Sequence, residues 1–245
     1  MTNWFIQYVS LRLRQHCPGV RSQPRARLLK ALVLATWWSA LVAVPAAGMA
    51  AGSTILVLGD SISAAYGIQR EQGWVQQLAD RVGDLETPWR VVNASLSGET
   101  TGGGLARLPG ALTDHRPEVV IIELGGNDGL RGYPVDRIRA NLTDMVRLAQ
   151  EAGSRVLLVG IEIPPNYGPR YTRAFAAVFR EVAQARSVPL VPFILEQVAL
   201  QPELMQDDGI HPTADAQPLL LDTVWPYLAD VLGADVATAD HRASR

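Results

Sequence analysis

Two short segments hold residue types that can do nucleophilic chemistry together. Ser61, within Gly59-Asp60-Ser61-Ile62-Ser63, follows an apolar β-branched run and precedes a helical pattern. At such a junction backbone N–H groups are free and the helix dipole favours developing negative charge. Far downstream, Asp208 and His211 lie three residues apart in Asp207-Asp208-Gly209-Ile210-His211-Pro212. Folded as one turn, that spacing lets Asp208 accept from one imidazole nitrogen while the other faces a serine brought from elsewhere. Asp208 would fix the tautomer and steady the imidazolium; His211 would take the serine proton and return it to a leaving group. Taken singly, Ser61 also reads as a helix cap, and the second segment as an Asp-Gly turn with a surface histidine. The histidine count ties the two together. His16 lies near the N-terminus and His241 near the C-terminus, which leaves His115 and His211. His115, in Thr113-Asp114-His115-Arg116-Pro117, reads as a solvated loop residue.

A serine attacking a carbonyl also needs donors for the oxyanion. Gly98 has no side chain to block its N–H, and Asn127 offers a carboxamide after Gly125 and Gly126, whose missing Cβ atoms would let a substrate approach. With the Ser61 N–H these form a candidate three-donor hole. Each of the two is equally a turn residue when taken alone.

These segments need a scaffold that brings them to one place. Short β-branched runs at Thr54 to Leu58, Arg90 to Val92, Val119 to Leu124, Val156 to Val159 and Leu190 to Phe193 read as strands. The clearest helices are Gly73 to Val82, Val135 to Ala152, Tyr171 to Arg186 and Ala214 to Leu232. Strands that are apolar throughout have both faces covered, so the pattern predicts a flavodoxin-like three-layer α/β/α sandwich around a five-stranded parallel sheet. In such sheets ligands bind beyond the carboxyl ends of the strands. Ser61, Gly98 and Asn127 each follow the end of a different strand.

Composition narrows the chemistry. Of 22 basic residues, Arg12, Arg14, Arg21, Arg25, Arg27 and Lys30 precede an apolar run from Ala31 to Val44, and all 24 acids lie beyond residue 50. Basic flank, apolar run, then Pro45 and small residues through Ala51 predict a signal peptide with a basic N-terminal extension over 1–50, cleaved after Ala50 or Ala51. A run this short predicts no stable membrane anchor after cleavage, and a periplasmic or secreted product. A single folded domain is expected over 51–233, with a loose tail over 234–245. Beyond residue 50, 16 bases against 24 acids leave a net charge of −8, which disfavours nucleic acid as a partner. Lys30 is the only lysine and Cys17 the only cysteine. A product starting near residue 51 therefore has no Schiff-base lysine, Ser-Lys dyad, P-loop lysine or disulfide.

Gly59-Asp60-Ser61-Ile62-Ser63, Gly98, Gly125-Gly126-Asn127-Asp128 and Asp208-Gly209-Ile210-His211-Pro212 resemble, in that order, the four sequence blocks of the SGNH (GDSL-type) hydrolases. Ile62 stands where the family commonly has Leu, a nearly isosteric exchange. Val91-Val92-Asn93-Ala94-Ser95, Gly104-Leu105-Ala106-Arg107-Leu108-Pro109 and Met205-Gln206-Asp207-Asp208 are similar to the family's bacterial periplasmic acyl-CoA thioesterases, also described as lysophospholipases and arylesterases. The resemblance runs from about Thr54 to Leu232. It implies a cofactor-free, metal-free esterase and thioesterase that takes small acyl esters and thioesters, with a monomer as the expected state. Ser61 is then the nucleophile, Asp208 and His211 complete the triad, and Gly98 and Asn127 join Ser61 in the oxyanion hole. The Gly-x-Ser-x-Gly elbow of α/β-hydrolases is absent around Ser61.

Acyl preference would come from apolar loops beside the triad. Gly129 to Pro134, with Leu130 and Tyr133, and Ile163 to Gly168, with Pro165 and Tyr167, are the candidate walls; both also read as ordinary connections. Three rivals differ in kind. Gly102-Gly103-Gly104 is glycine-rich in the manner of a phosphate cradle, but no lysine follows. Asp60, Asp128, Asp208 and His211 could form a metal-dependent phosphoesterase site. A carbohydrate acetylesterase of the same fold would use the same constellation.

Overall fold

The computed structural model describes residues 53–233. The signal-peptide and C-terminal-tail expectations fall outside the described residues. Five parallel strands, β1 (Thr54–Gly59), β2 (Arg90–Asn93), β3 (Val119–Glu123), β4 (Arg155–Val159) and β5 (Leu190–Val191), pair in the order β2-β1-β3-β4-β5. All residues of β1 and β3 are buried, as continuous Val, Ile and Leu require when both sheet faces are covered. Edge strand β2 is only half-buried.

Helices α1 (Trp74–Gly83) and α6 (Gln217–Leu232) pack together, whereas α2 (Thr101–His115), α4 (Val135–Glu151) and α5 (Pro169–Arg186) pack in succession. Right-handed crossovers require this division, because the chain first steps from β1 out to β2 and then returns past β1 to β3. Trp74, Phe175 and Phe179 are the largest fully buried side chains, and Phe175 meets Phe179 edge-on at 5.6 Å between centroids. The flavodoxin-like layering follows as expected. None of the helices among the described residues is long and apolar enough to cross a membrane.

Two helices escape the sequence pattern. Helix α2 opens on Gly102-Gly103-Gly104 and contains Pro109, all poor helix formers. It forms because Thr100 caps it, accepting the Gly103 N–H at 3.2 Å, and because Gly104 allows close packing: a Cβ there would come within 2.3 Å of Leu124. The last glycine of the triplet is thus a helix-packing position, and His115 ends this helix rather than sitting in a loop. The five-residue α3 (Gly126–Leu130) is too short to show a period. Strand β5 ends at Val191, two residues short of the expected Phe193, and α6 starts at Gln217 rather than Ala214.

Candidate functional site

Strands β1 and β3 are neighbours although the chain visits β2 between them. At this switch point adjacent connections leave towards opposite faces and open a crevice above the strand ends. The segment after β1 carries Ser61, and α3, directly after β3, carries Asn127 in its first turn. Gly125, with φ +125°, makes the sharp exit from β3, and a Cβ there would press on Phe179 at 3.0 Å. Its glycine therefore serves backbone and packing, whereas Gly126 lines the crevice itself.

The histidine arrives on a closed loop. Met205 and Pro212 form an antiparallel bridge, Gln206 N–H donates to the His211 carbonyl at 2.8 Å, and Gly209 turns the chain at φ +65°. Inside this loop Asp208 Oδ1 accepts the N–H groups of Ile210 at 2.9 Å and His211 at 3.0 Å, while Oδ2 lies 2.6 Å from His211 Nδ1. His211 Nε2 lies 2.9 Å from Ser61 Oγ, across 150 residues of sequence. Burial works to raise the Asp208 carboxyl, but the His211 backbone, its ring and the Ile210 N–H together hold it down to about 2. An ionised carboxylate at Nδ1 assigns that nitrogen the proton and leaves Nε2 basic towards the serine.

Asp60 and Asp128 are turned to other tasks. Buried Asp60 accepts the Ile62 N–H at 3.1 Å and the Asn127 amide at 3.1 Å; burial lifts its carboxyl to about 6 against those bonds. The contact to Asp60 fixes which end of the Asn127 carboxamide is the donor, and its second N–H is left for a ligand. Asp128 holds Thr101 through the N–H at 2.8 Å and the hydroxyl at 2.6 Å, tying the start of α2 to α3. With their oxygens engaged in this way, neither acid joins Asp208 and His211 in one ligand set. Beneath Asp60, Glu123 accepts the Ser63 hydroxyl at 2.7 Å; burial first, then the Asp60 charge, raise its carboxyl well above the usual range.

Gly98 sits on the exposed loop after β2 with φ +79°. Arg107 braces that loop, pairing with Glu99 at 2.7 Å and donating to the Ala94 carbonyl, and Leu96 N–H ties it to Gly59 at 3.1 Å. Among the described residues the N–H groups of Ser61 and Gly98 donate to no protein acceptor, the condition an oxyanion hole needs.

A cleft of about 680 Å³ opens from Ser61 and His211. Leu130 and Pro165 line it, but Tyr133 and Tyr167 do not. The Tyr167 hydroxyl instead donates to the Leu130 carbonyl at 2.8 Å, and the Tyr133 carbonyl accepts from Tyr171 at 2.7 Å. Much of the wall comes from residues to which the sequence reading gives no part in binding: Ile161, Phe193, Leu195, Leu200, Met205 and Ile210. Phe193 reads only as the end of the fifth strand, and Leu195, Leu200 and Met205 lie where the chain has neither helical nor strand period; apolar residues in an irregular stretch were the available signal. Tyr66, likewise unassigned, lays its ring against His211 with centroids 4.5 Å apart.

The family model described as "GDSL-like Lipase/Acylhydrolase family" matches residues 57–218. The chain is 53% identical over 183 residues to "Esterase TesA" of Pseudomonas aeruginosa, covering 75% of this chain and 91% of that protein. It is 44% identical over 186 residues to "Thioesterase 1/protease 1/lysophospholipase L1" of Escherichia coli K12, covering 76% and 88%. The crystal structure of the psychrotrophic esterase EstA from Pseudoalteromonas sp., inhibited by monoethylphosphonate, superposes with a TM-score of 0.70 at 44% identity, covering 74% of this chain and 98% of that one. With a matching family model across most of the described sheet and relatives aligned over nearly their whole length, the chain belongs to the GDSL-like lipase/acylhydrolase family and is a hydrolase of ester bonds.

Proposed function

We propose that the protein is a serine esterase and thioesterase in which Ser61 is the nucleophile, His211 the base and Asp208 its orienting partner. The reading rests on the hydrogen-bonded chain from Ser61 Oγ to His211 Nε2 and from Nδ1 to Asp208. Ser61 Oγ attacks the acyl carbon while its proton passes to His211 Nε2. The Ser61 and Gly98 N–H groups and the Asn127 amide take the charge on the carbonyl oxygen. The bond to the alcohol or thiol then breaks, with the leaving atom protonated by His211. Water, deprotonated by the same nitrogen, attacks the acyl-enzyme; the bond from Ser61 Oγ to the acyl carbon breaks, His211 returns the proton to Ser61, and the acid leaves.

The apolar wall favours an acyl chain longer than acetyl, so aryl esters, acyl-CoA and lysophospholipids are the proposed substrates. The relatives' names, esterase, thioesterase 1 and lysophospholipase L1, point the same way. An acetylated sugar would leave most of that wall unfilled and is the weaker reading. The basic, apolar leader supports a periplasmic or secreted location. A fluorophosphonate should inactivate the enzyme and appear by peptide mass mapping on Ser61, and Ser61→Ala should lose activity on both p-nitrophenyl esters and acyl-CoA. Label at another residue, or an active Ser61→Ala enzyme, would refute the assignment.

A further inference from the structure

We propose that Tyr66 is a positioning residue for His211, its ring covering the imidazole so that Nε2 stays on the Ser61 hydroxyl. The inference builds on the assignment of His211 as the base. Four observations carry it. The Tyr66 and His211 rings are 4.5 Å apart between centroids at a tilt of 39°, within the range for attractive aromatic contact. The Tyr66 backbone is tied to the candidate nucleophile, its N–H donating to the Ser61 carbonyl at 3.1 Å. The same backbone is tied to the histidine loop, because the Gln206 side-chain amide donates both to the Tyr66 carbonyl at 2.8 Å and to the Pro212 carbonyl at 2.9 Å. One carboxamide thus fixes the two halves of the site to each other.

The fourth observation is the left-handed backbone on either side of the tyrosine, strained on one of them. Ala65, buried and not a glycine, sits at φ +58°, and Gly67 at φ +77°. Gly67 takes that conformation freely, but at Ala65 it persists only where the surroundings over-determine it. Here they turn the chain so that an aromatic ring 51% exposed, contributing little to the core, lies on the imidazole. At Gly67 a Cβ would collide with Gln206, so this turn and the carboxamide clamp fit only together.

The electrostatics act in the same direction. The charged groups facing His211 are Asp208 from its own loop and Asp60 from the segment after β1. Both favour the imidazolium that forms when Ser61 gives up its proton. The negative face of the Tyr66 ring adds to that attraction, and its bulk limits rotation of the imidazole away from Ser61. This contribution grows only as charge appears on His211, so it belongs to the turnover step rather than to substrate binding.

The test uses Tyr66→Ala, Tyr66→Leu and Tyr66→Phe in the full chain, assayed with a soluble p-nitrophenyl ester beside wild type and Ser61→Ala, with thermal melts of each. Removing the π-face should lower kcat about 3- to 10-fold in the Ala and Leu variants with KM within about two-fold, the span expected from aromatic and cation–π contacts. Phe should restore at least half of the wild-type kcat, because the ring and not the hydroxyl does the positioning. Leu keeps the bulk and gives a second reading if Ala melts early. A wild-type kcat in Ala and Leu, a raised KM with unchanged kcat, or a Phe variant as slow as Ala each overturns this proposal alone. Retained activity in Ser61→Ala overturns the nucleophile assignment, and this proposal with it.

Discussion

At the scale of single residues, the site is governed by three carboxyl groups in contrasting environments. Asp208, partly open to water and bonded to two N–H groups and an imidazole, is held at about 2, so it stays ionised through the acid range. Because this pKa is depressed, the stability it lends the fold is present above the ordinary carboxylate value and disappears only as pH falls through about 2. Glu123 behaves in the opposite sense. Its raised pKa means that the folded state binds the proton more tightly, so stability is complete below the ordinary value and is lost as pH rises towards the elevated one. Asp60, lifted to about 6, adds loss of the same sign between about 4 and 6. Glu123→Gln keeps an oxygen for the Ser63 hydroxyl and removes one titration. Melting curves from pH 5 to 8 should therefore fall less steeply for Glu123→Gln than for wild type, by up to about 1.4 kcal/mol for each pH unit over which Glu123 binds its proton only in the fold. Parallel curves would show that this carboxyl is not buried as described.

At the scale of elements, the chemistry depends on how each strand is left. Gly59 ends β1, Gly125 follows β3 and Gly160 follows β4, and each is hemmed in where a Cβ would stand. Gly160 is the tightest against backbone. Its Cβ would lie 2.2 Å from the Pro192 carbonyl oxygen, while its own N–H and C=O are held by Val191 and Ile194. Backbone on both sides leaves no flexible side chain to yield. Gly160→Ala should therefore destabilise the fold by roughly 2 kcal/mol or more, lowering Tm by about 4 °C or more for a domain of this size. A Tm within 1 °C of wild type in scanning calorimetry would contradict that packing. The same element-level physics explains which helices sequence reading found. Helices α4 and α5 show an apolar stripe on otherwise polar sequence, whereas α2 hides behind three glycines and a proline that only its packing against β1, α4 and Leu124 makes tolerable.

At the scale of the whole molecule, the cleft belongs to no single element. Leu130 comes from α3 after β3, Ile161 from the exit of β4, Phe193 from the exit of β5, and Ile210 from the histidine loop. Sheet order alone brings these exits side by side. Acyl length should therefore be read by several segments at once. Leu130→Ala and Phe193→Ala are each expected to reduce kcat/KM for a dodecanoyl ester about 10-fold more than for an acetyl ester, since lost apolar contact acts only on chains that reach it. Tyr133→Ala, outside the lining, should leave the ratio within about two-fold. Equal effects on both esters at Leu130 and Phe193 would mean that the chain lies elsewhere.

Sequence by itself determined the local facts: five strand runs, the central ones too continuously apolar for an open face, the Asp-Gly-Ile-His spacing that closes on itself within one loop, and strand-end segments rich in Ser, Gly and Asn. These were legible because the interactions involved span few residues or repeat with a fixed period. Tertiary structure alone decided the rest. The 150-residue separation between Ser61 and His211 closes only when β1 and the final loop meet above the sheet. The place of Tyr66 on the imidazole, and a cleft wall drawn from an irregular stretch, depend on contacts between segments with no shared period, and such contacts leave no mark in the linear order of the chain.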